Sequence, residues 1–187
     1  MMTEPRFLSG QFLLSMPGMG DERFARALVA ICSHDEESAL GIVVNHVRGD
    51  VQLRSLFSQL DVDPGDMKDG PVFAGGPVEP ARGFVLHSPE YEGQGTLNVA
   101  GRWALTATLD ILRDIAAGTG PKKWLVALGY TGWGEGQLED EMTQHGWLRA
   151  EGAEALIWDV PIQDRWKRAF ESEGIDVGMM SPSAGNA

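Results

Sequence analysis

The chain has 187 residues and a mass of 20.3 kDa, with 43% hydrophobic residues, 22% charged residues and a formal charge of −12. That length and mix predict one globular domain over residues 1–187 that buries roughly 70% of its unfolded surface, and they exclude a disordered chain. Acids outnumber bases 14 to 7 in residues 1–93 and 13 to 8 in residues 94–187. Neither half therefore offers the basic surface that phosphate binding needs, and direct nucleic-acid binding is disfavoured.

The tight basic groups, Lys122–Lys123 and Arg165, Lys167, Arg168, are small, lie beside acids and read as solvated faces. One cysteine, Cys32, allows neither an intrachain disulfide nor a cysteine zinc cluster, which fits a reducing compartment. Residues 1–9 lack the apolar core of a signal peptide, and no apolar run reaches the ~18–20 residues of a membrane span. The expectation is a cytoplasmic protein with no membrane partner.

Residues 11–15, 27–32 and 40–45 are apolar, partly β-branched runs that predict strands, the last two joined across residues 33–39. Leu53, Leu56, Phe57 and Leu60 repeat at helical spacing and predict a helix capped by Asp50. Residues 60–71, broken by Pro and Gly and wetted by four Asp, read as a surface loop. That loop fails as a calcium site, because Gly65 stands at a ligand position and Val72 where the bidentate Glu belongs. Strands are predicted again at 71–74, 83–87 and 95–99. Leu105, Leu109, Leu112 and Ala116 predict a second helix, with Thr106 or Thr108 as its cap and Gly118 as its stop.

Residues 124–130, 147–150 and 155–158 predict three more strands. Residues 137–145 and 162–173 predict two more helices, the last stopped by Gly174. About six residues at the N-terminus and about seven at the C-terminus are expected to fray. Most strand runs are continuously apolar, which predicts burial on both faces. Strands come in groups with helices inserted irregularly, and this argues for the α+β class.

No phosphate loop, H-E-x-x-H or G-x-S-x-G motif is present, so no catalytic, metal-binding or nucleic-acid-binding residue and no cofactor is assigned. Cys32, His34 and Asp35 stand close together, and an imidazole beside a thiol can activate it. A cysteine that ends an apolar strand is more often buried and inert. The block from Gly129 to Gly136 leads into the helix at Gln137, and free amides at a helix start attract anions. Glu135, Glu139, Asp140 and Glu141 crowd that start, so a tight structural turn under Trp133 is favoured. Gly75–Gly76 reads as a turn or bulge between strands.

His34, His46, His87 and His145 follow no metal-ligand spacing. Asn45 and His87 each end an apolar run, where a chain leaves the core. Together with Trp133 and Gln137 at the Gly-rich turn, they define a speculative ligand pocket of Asn45, His87, Trp133 and Gln137.

Several segments taken together resemble the YqgE/AlgH family of bacterial proteins. They are the run from Leu8 to Pro17 with Asp21 and Phe24, Cys32-Ser-His34, Leu40-Gly-Ile-Val-Val-Asn45, Gly75-Gly-Pro-Val78 and Gly83-Phe-Val-Leu-His87. The block Gly129-Tyr-Thr-Gly-Trp-Gly-Glu-Gly-Gln-Leu-Glu-Asp-Glu141, Trp147-Leu148, Arg165-Trp166 and Gly174-Ile175 complete the series. Ser38 departs from the Gly that the family usually carries, and His46-Val47 from a basic residue followed by Pro.

The resemblance implies an α+β fold in which a strongly bent antiparallel sheet closes towards a barrel, flanked by about four helices. It implies no catalytic residues and no established molecular function. One branch of the family is labelled a transcriptional regulator of exopolysaccharide synthesis, without a recognisable DNA-binding motif. The expectation is a regulatory protein that acts on transcription indirectly, through protein partners. The alternative is a small-molecule binder or an unrecognised enzyme with a cleft near Asn45, His87 and Trp133.

Overall fold

The computed structural model describes residues 7–180, so both ends expected to fray lie outside the described residues. The first half of the chain contributes strands β1 (Phe12–Ser15), β2 (Leu28–His34), β3 (Ala39–Val43), β4 (Val47–Gln52), β5 (Pro71–Ala74) and β6 (Val78–His87), with helix α1 (Leu53–Gln59) between β4 and β5. The second half contributes β7 (Leu97–Val99), β8 (Trp103–Thr106), β9 (Trp124–Trp133) and β10 (Trp147–Ala150), with α2 (Leu109–Ala117) and α3 (Gln137–Thr143) on either side of β9. Helices α4 (Ala155–Trp158) and α5 (Arg165–Ser172) follow β10. Among the described residues, no helix is long and apolar enough to cross a membrane.

The sheet runs in the order β10-β1-β2-β3-β9-β6-β8-β7, with β5 added to β9 and β4 to β5. All pairings are antiparallel except β5 with β9, which is parallel. Strand β9 is the hinge of the curl. Its first half pairs with β6 and β5, while its last residues, Thr131 to Trp133, pair with β3. This is the bent, barrel-like antiparallel sheet that the resemblance implies.

Both faces of the sheet are covered, which explains the continuous apolar runs. Phe12, Leu14, Leu125 and Ala127 point to an inner cluster closed by Trp166 and Phe170 of α5. Their neighbours point the other way: Val126 and Leu128 meet α1 and α2, and Leu13 meets Leu138 of α3. Each such side chain contributes about 1.5–3 kcal/mol by leaving water.

Glycine is required where β9 passes the turn after β5. A Cβ on Gly129 would lie 3.2 Å from Cα of Pro80 and closer still to the carbonyl oxygen of Gly76. Gly129 also has a φ of +81°, so an L side chain there is excluded twice.

Three local expectations are overturned, and one strand was not expected. Residues 155–158 form a one-turn helix, because the adjacent Leu156 and Ile157 both pack into the inner cluster, which the alternation of a strand would not allow. Leu105 belongs to β8, paired with Leu86, so α2 begins only at Leu109. Asp50 lies in β4 and pairs with Arg48 at 2.7 Å. At the start of α1 it is Asp69, from the following loop, that accepts the Arg54 N–H at 3.0 Å. Strand β4 itself has a polar, largely exposed sequence that gives no strand signal.

Candidate functional site

Between β1 and β2 the chain crosses one end of the sheet and forms a wall of a cleft of about 810 Å³. The facing wall is the start of α5, with Ile162 and Trp166, and Val177 closes one end. Three side chains fasten the crossing segment from behind. The Ser15 hydroxyl accepts the Ala27 N–H at 2.8 Å. The Asn45 carboxamide accepts the Leu28 N–H at 2.9 Å and donates to the Arg26 carbonyl at 2.7 Å. His46 donates from its ring to the Ala25 carbonyl at 2.9 Å. Held on both sides, Arg26 sits in the left-handed region at φ +49°, a conformation that non-glycine residues adopt only when neighbours impose it.

Asn45 lines the cleft, yet both ends of its amide are engaged in extending the β2–β3 pairing. The chemistry left open belongs to other residues. The Arg26 guanidinium lies 5.7 Å from the centre of the Trp166 ring, whose indole N–H donates to the Ser15 carbonyl at 3.0 Å. Arg26 and Lys167 are exposed at the cleft, and among the described residues neither has a carboxylate partner. Met16 and Met19 add flexible, polarisable walls that adapt to varied apolar shapes. The one carboxylate in the lining, Asp176, accepts the Gly178 N–H at 2.9 Å.

His87, Trp133 and Gln137 lie outside this lining. His87 is fully buried. Its Nδ1 donates to the Ser88 carbonyl at 2.8 Å, and its Nε2 accepts the Thr106 hydroxyl at 2.8 Å. Thr106 bonds Thr96 in turn at 2.7 Å, so a one-directional chain fixes the neutral ring, and burial lowers the His87 pKa.

The structure does bring Trp133 and Gln137 together, around Glu141. That carboxylate accepts from the Trp133 indole at 3.3 Å, the Trp147 indole at 3.2 Å and the Gln137 amide at 2.9 Å. The Gln137 amide oxygen meanwhile accepts the Gly134 N–H at 3.0 Å and ties the Gly-rich turn.

Cys32 and His34 separate because the β2–β3 register shifts between Ile31 and Ser33, which breaks the alternation of faces. The thiol enters the inner cluster, and burial pushes its pKa up to about 12. His34 instead accepts the Leu8 N–H at 2.9 Å and donates to Glu139 at 2.6 Å.

A model of the AlgH-like family matches residues 12–178. The chain belongs to that family. UPF0301 proteins of Rhizorhabdus wittichii and Novosphingobium aromaticivorans are 52% and 50% identical to it over 186 residues, covering 100% of each chain. The solution structure of the AlgH protein from Pseudomonas aeruginosa superposes with a TM-score of 0.79 at 36% identity, over 100% of both chains. A crystal structure from Corynebacterium diphtheriae, at 19% identity, shares the fold with a TM-score of 0.74 over 97% of this chain and 94% of its own. The family's Gly-rich segments therefore fall where backbone crosses backbone and at the turn into α3, and its Trp133–Glu141 block forms a closed hydrogen-bonded corner.

Sequence reasoning passed over Arg26 and the two methionines and placed Lys167 on a solvated face. The available signal was the basic group at residues 165–168, whose members diverge in space. Arg165 is buried, Lys167 borders the cleft and Arg168 is exposed.

Proposed function

We propose that this AlgH-like protein is a cytoplasmic regulator that works by binding a protein partner, whose acidic, apolar-studded segment lies in the cleft between the β1–β2 crossing and α5. Any effect on transcription is then indirect. The observation that carries this reading is the pair Arg26 and Lys167, exposed and, among the described residues, without carboxylate partners, beside Met16, Met19 and Trp166 in a chain of net charge −12. A local cationic rim on an acidic protein selects acidic partners by steering and by repulsion of alternatives. The same global charge opposes duplex DNA. The alternative of a small-molecule or enzyme cleft near Asn45, His87 and Trp133 draws less support, because the polar atoms of these three are engaged within the protein.

The test is fluorescence anisotropy with a labelled peptide of alternating acidic and large apolar residues, alongside a labelled mixed-sequence duplex. Peptide binding is expected to weaken with salt and to be lost in Lys167→Glu. Duplex binding is expected to be no tighter than ~10⁻⁴–10⁻⁶ M at physiological salt. Tight, salt-sensitive duplex binding without peptide binding overturns the proposal.

A further inference from the structure

Arg165 opens α5 and is only 7% exposed. Its Nε donates to the Val160 carbonyl at 2.9 Å and its Nη1 to the Val44 carbonyl at 2.6 Å. Its guanidinium carbon lies 5.5 Å from the centre of the Phe73 ring. Among the described residues no carboxylate pairs with it, and burial lowers its pKa. A buried cation answered by two neutral carbonyls and a ring face, with no carboxylate among the described residues, carries a desolvation cost that these partners offset only in part. A neutral donor would serve the two carbonyls without that cost, so latching α5 to the sheet does not by itself account for an arginine here.

The rest of the guanidinium points to a use. Among the described residues Nη2 has no hydrogen-bond partner and no side-chain nitrogen is both sealed from solvent and unbonded, so Nη2 keeps some contact with solvent. Arg165 lines a second cavity, of about 290 Å³, together with Phe73, Trp124, Trp158 and Ile162. The exposed Lys68 stands in the same lining. Asp69 lies there too, but its Oδ1 accepts the Arg54 and Gly70 N–H groups at 3.0 and 2.9 Å.

We infer that this cavity is a binding site for a small organic carboxylate with an aromatic or branched apolar body, its carboxylate on Arg165 and its body between Phe73, Trp124 and Trp158. Nη2 can donate a charge-assisted hydrogen bond to a carboxylate oxygen, and the guanidinium charge favours that anion over a neutral acceptor. Aromatic walls favour a flat apolar body over a strongly hydrated phosphate, which needs more donors than this lining supplies. The volume, near the ~300 Å³ lower end of ligand pockets, suits a molecule of about ten heavy atoms. This site shares Ile162 with the Arg26–Lys167 cleft but neither of that cleft's cations, so it is tested on residues that the partner-binding reading does not use.

The test titrates phenylpropanoate, and its neutral isostere phenylpropanamide, into nitrogen-15-labelled protein. The indole signals of Trp124 and Trp158 and the Arg165 Nε–H signal report the site. The carboxylate is expected to produce saturable shifts confined to these signals, and the amide to bind about tenfold or more weakly, as loss of a charge-assisted pair requires. Arg165→Met is expected to abolish the response, and Lys68→Ala to weaken it severalfold at low salt only. Equal response to acid and amide, shifts centred on Trp166, or no saturable shift up to about 10 mM overturns the inference. So does a folded Arg165→Met that still responds. If that variant fails to fold, the acid–amide comparison on the wild-type chain decides alone.

Discussion

The Glu141 corner and the Arg26–Lys167 cleft lie at different places on the same curled sheet and distribute their polar groups in opposite ways. At the corner, one carboxylate collects the Trp133 and Trp147 indoles and the Gln137 amide, and the two indoles meet edge to face with centres 5.8 Å apart. Among these groups donors and acceptors answer one another, so the corner has little chemistry left for a ligand. At the cleft, Ser15, Asn45 and His46 are likewise engaged, but in holding a wall. Their work leaves two cations and a methionine-lined surface exposed. The densest motif in the sequence is thus the more structural region, and the two cations of the open site lie outside the motif segments. Binding capacity follows from which groups remain unsatisfied once the fold has formed.

The sharpest way to break that contrast is Trp133→Ala. Removing a large aromatic that is 4% exposed should lower stability by about 3–5 kcal/mol in urea unfolding, while the remaining folded protein still binds the acidic peptide. Loss of peptide binding at unchanged stability would reverse the roles of the two regions. Asn45→Ala comes next. It strands the Leu28 N–H and the Arg26 carbonyl, so a loss of about 1–3 kcal/mol is expected, together with weakened peptide binding as the wall loosens. Lys167→Glu, by contrast, should stay within about 0.5 kcal/mol of wild type, because it touches the rim alone.

The smallest effect is a pH dependence traceable to His87. Its pKa is lowered in the folded state by burial, whereas an unfolded histidine titrates near ~6.5. Below that value the unfolded chain takes up a proton that the folded chain resists. The stability contributed by the neutral ring is therefore full above about pH 6.5 and is lost as pH falls from there through the folded value. Urea midpoints measured at about pH 7.5 and 5.5 should drop in the wild type, and the drop should shrink in His87→Gln. An unchanged pH slope in that variant would show that the buried hydrogen-bonded chain does not hold His87 neutral.

Much of the fold is legible in the sequence because it depends on local pattern. The strands at 71–74 and 147–150 have the predicted bounds, and Gly118 ends α2 at a φ of +80°. The failures share a cause. The run at 155–158 carries strand residues, but its adjacent Leu156 and Ile157 both face the inner cluster, which a strand would split between two faces. Leu105 fits a helical stripe, but pairing with Leu86 claims it for β8. For the site, Asn45 was legible as a residue at a strand end. Its engagement by Leu28 and Arg26 was not, since that depends on backbone 17 and 19 residues away.

The sequence alone determined where apolar runs lie and to which family the chain belongs, because these rest on side-chain type and short spacing. Only the tertiary structure decided which polar atoms are satisfied. The break in alternation before Ser33 sends Cys32 inward and His34 to Glu139. The carbonyl of Val44, 121 residues from Arg165 along the chain, receives the guanidinium that opens onto the second cavity. Such pairings depend on the closure of the curled sheet, which brings distant backbone groups together, and no local periodicity encodes that meeting.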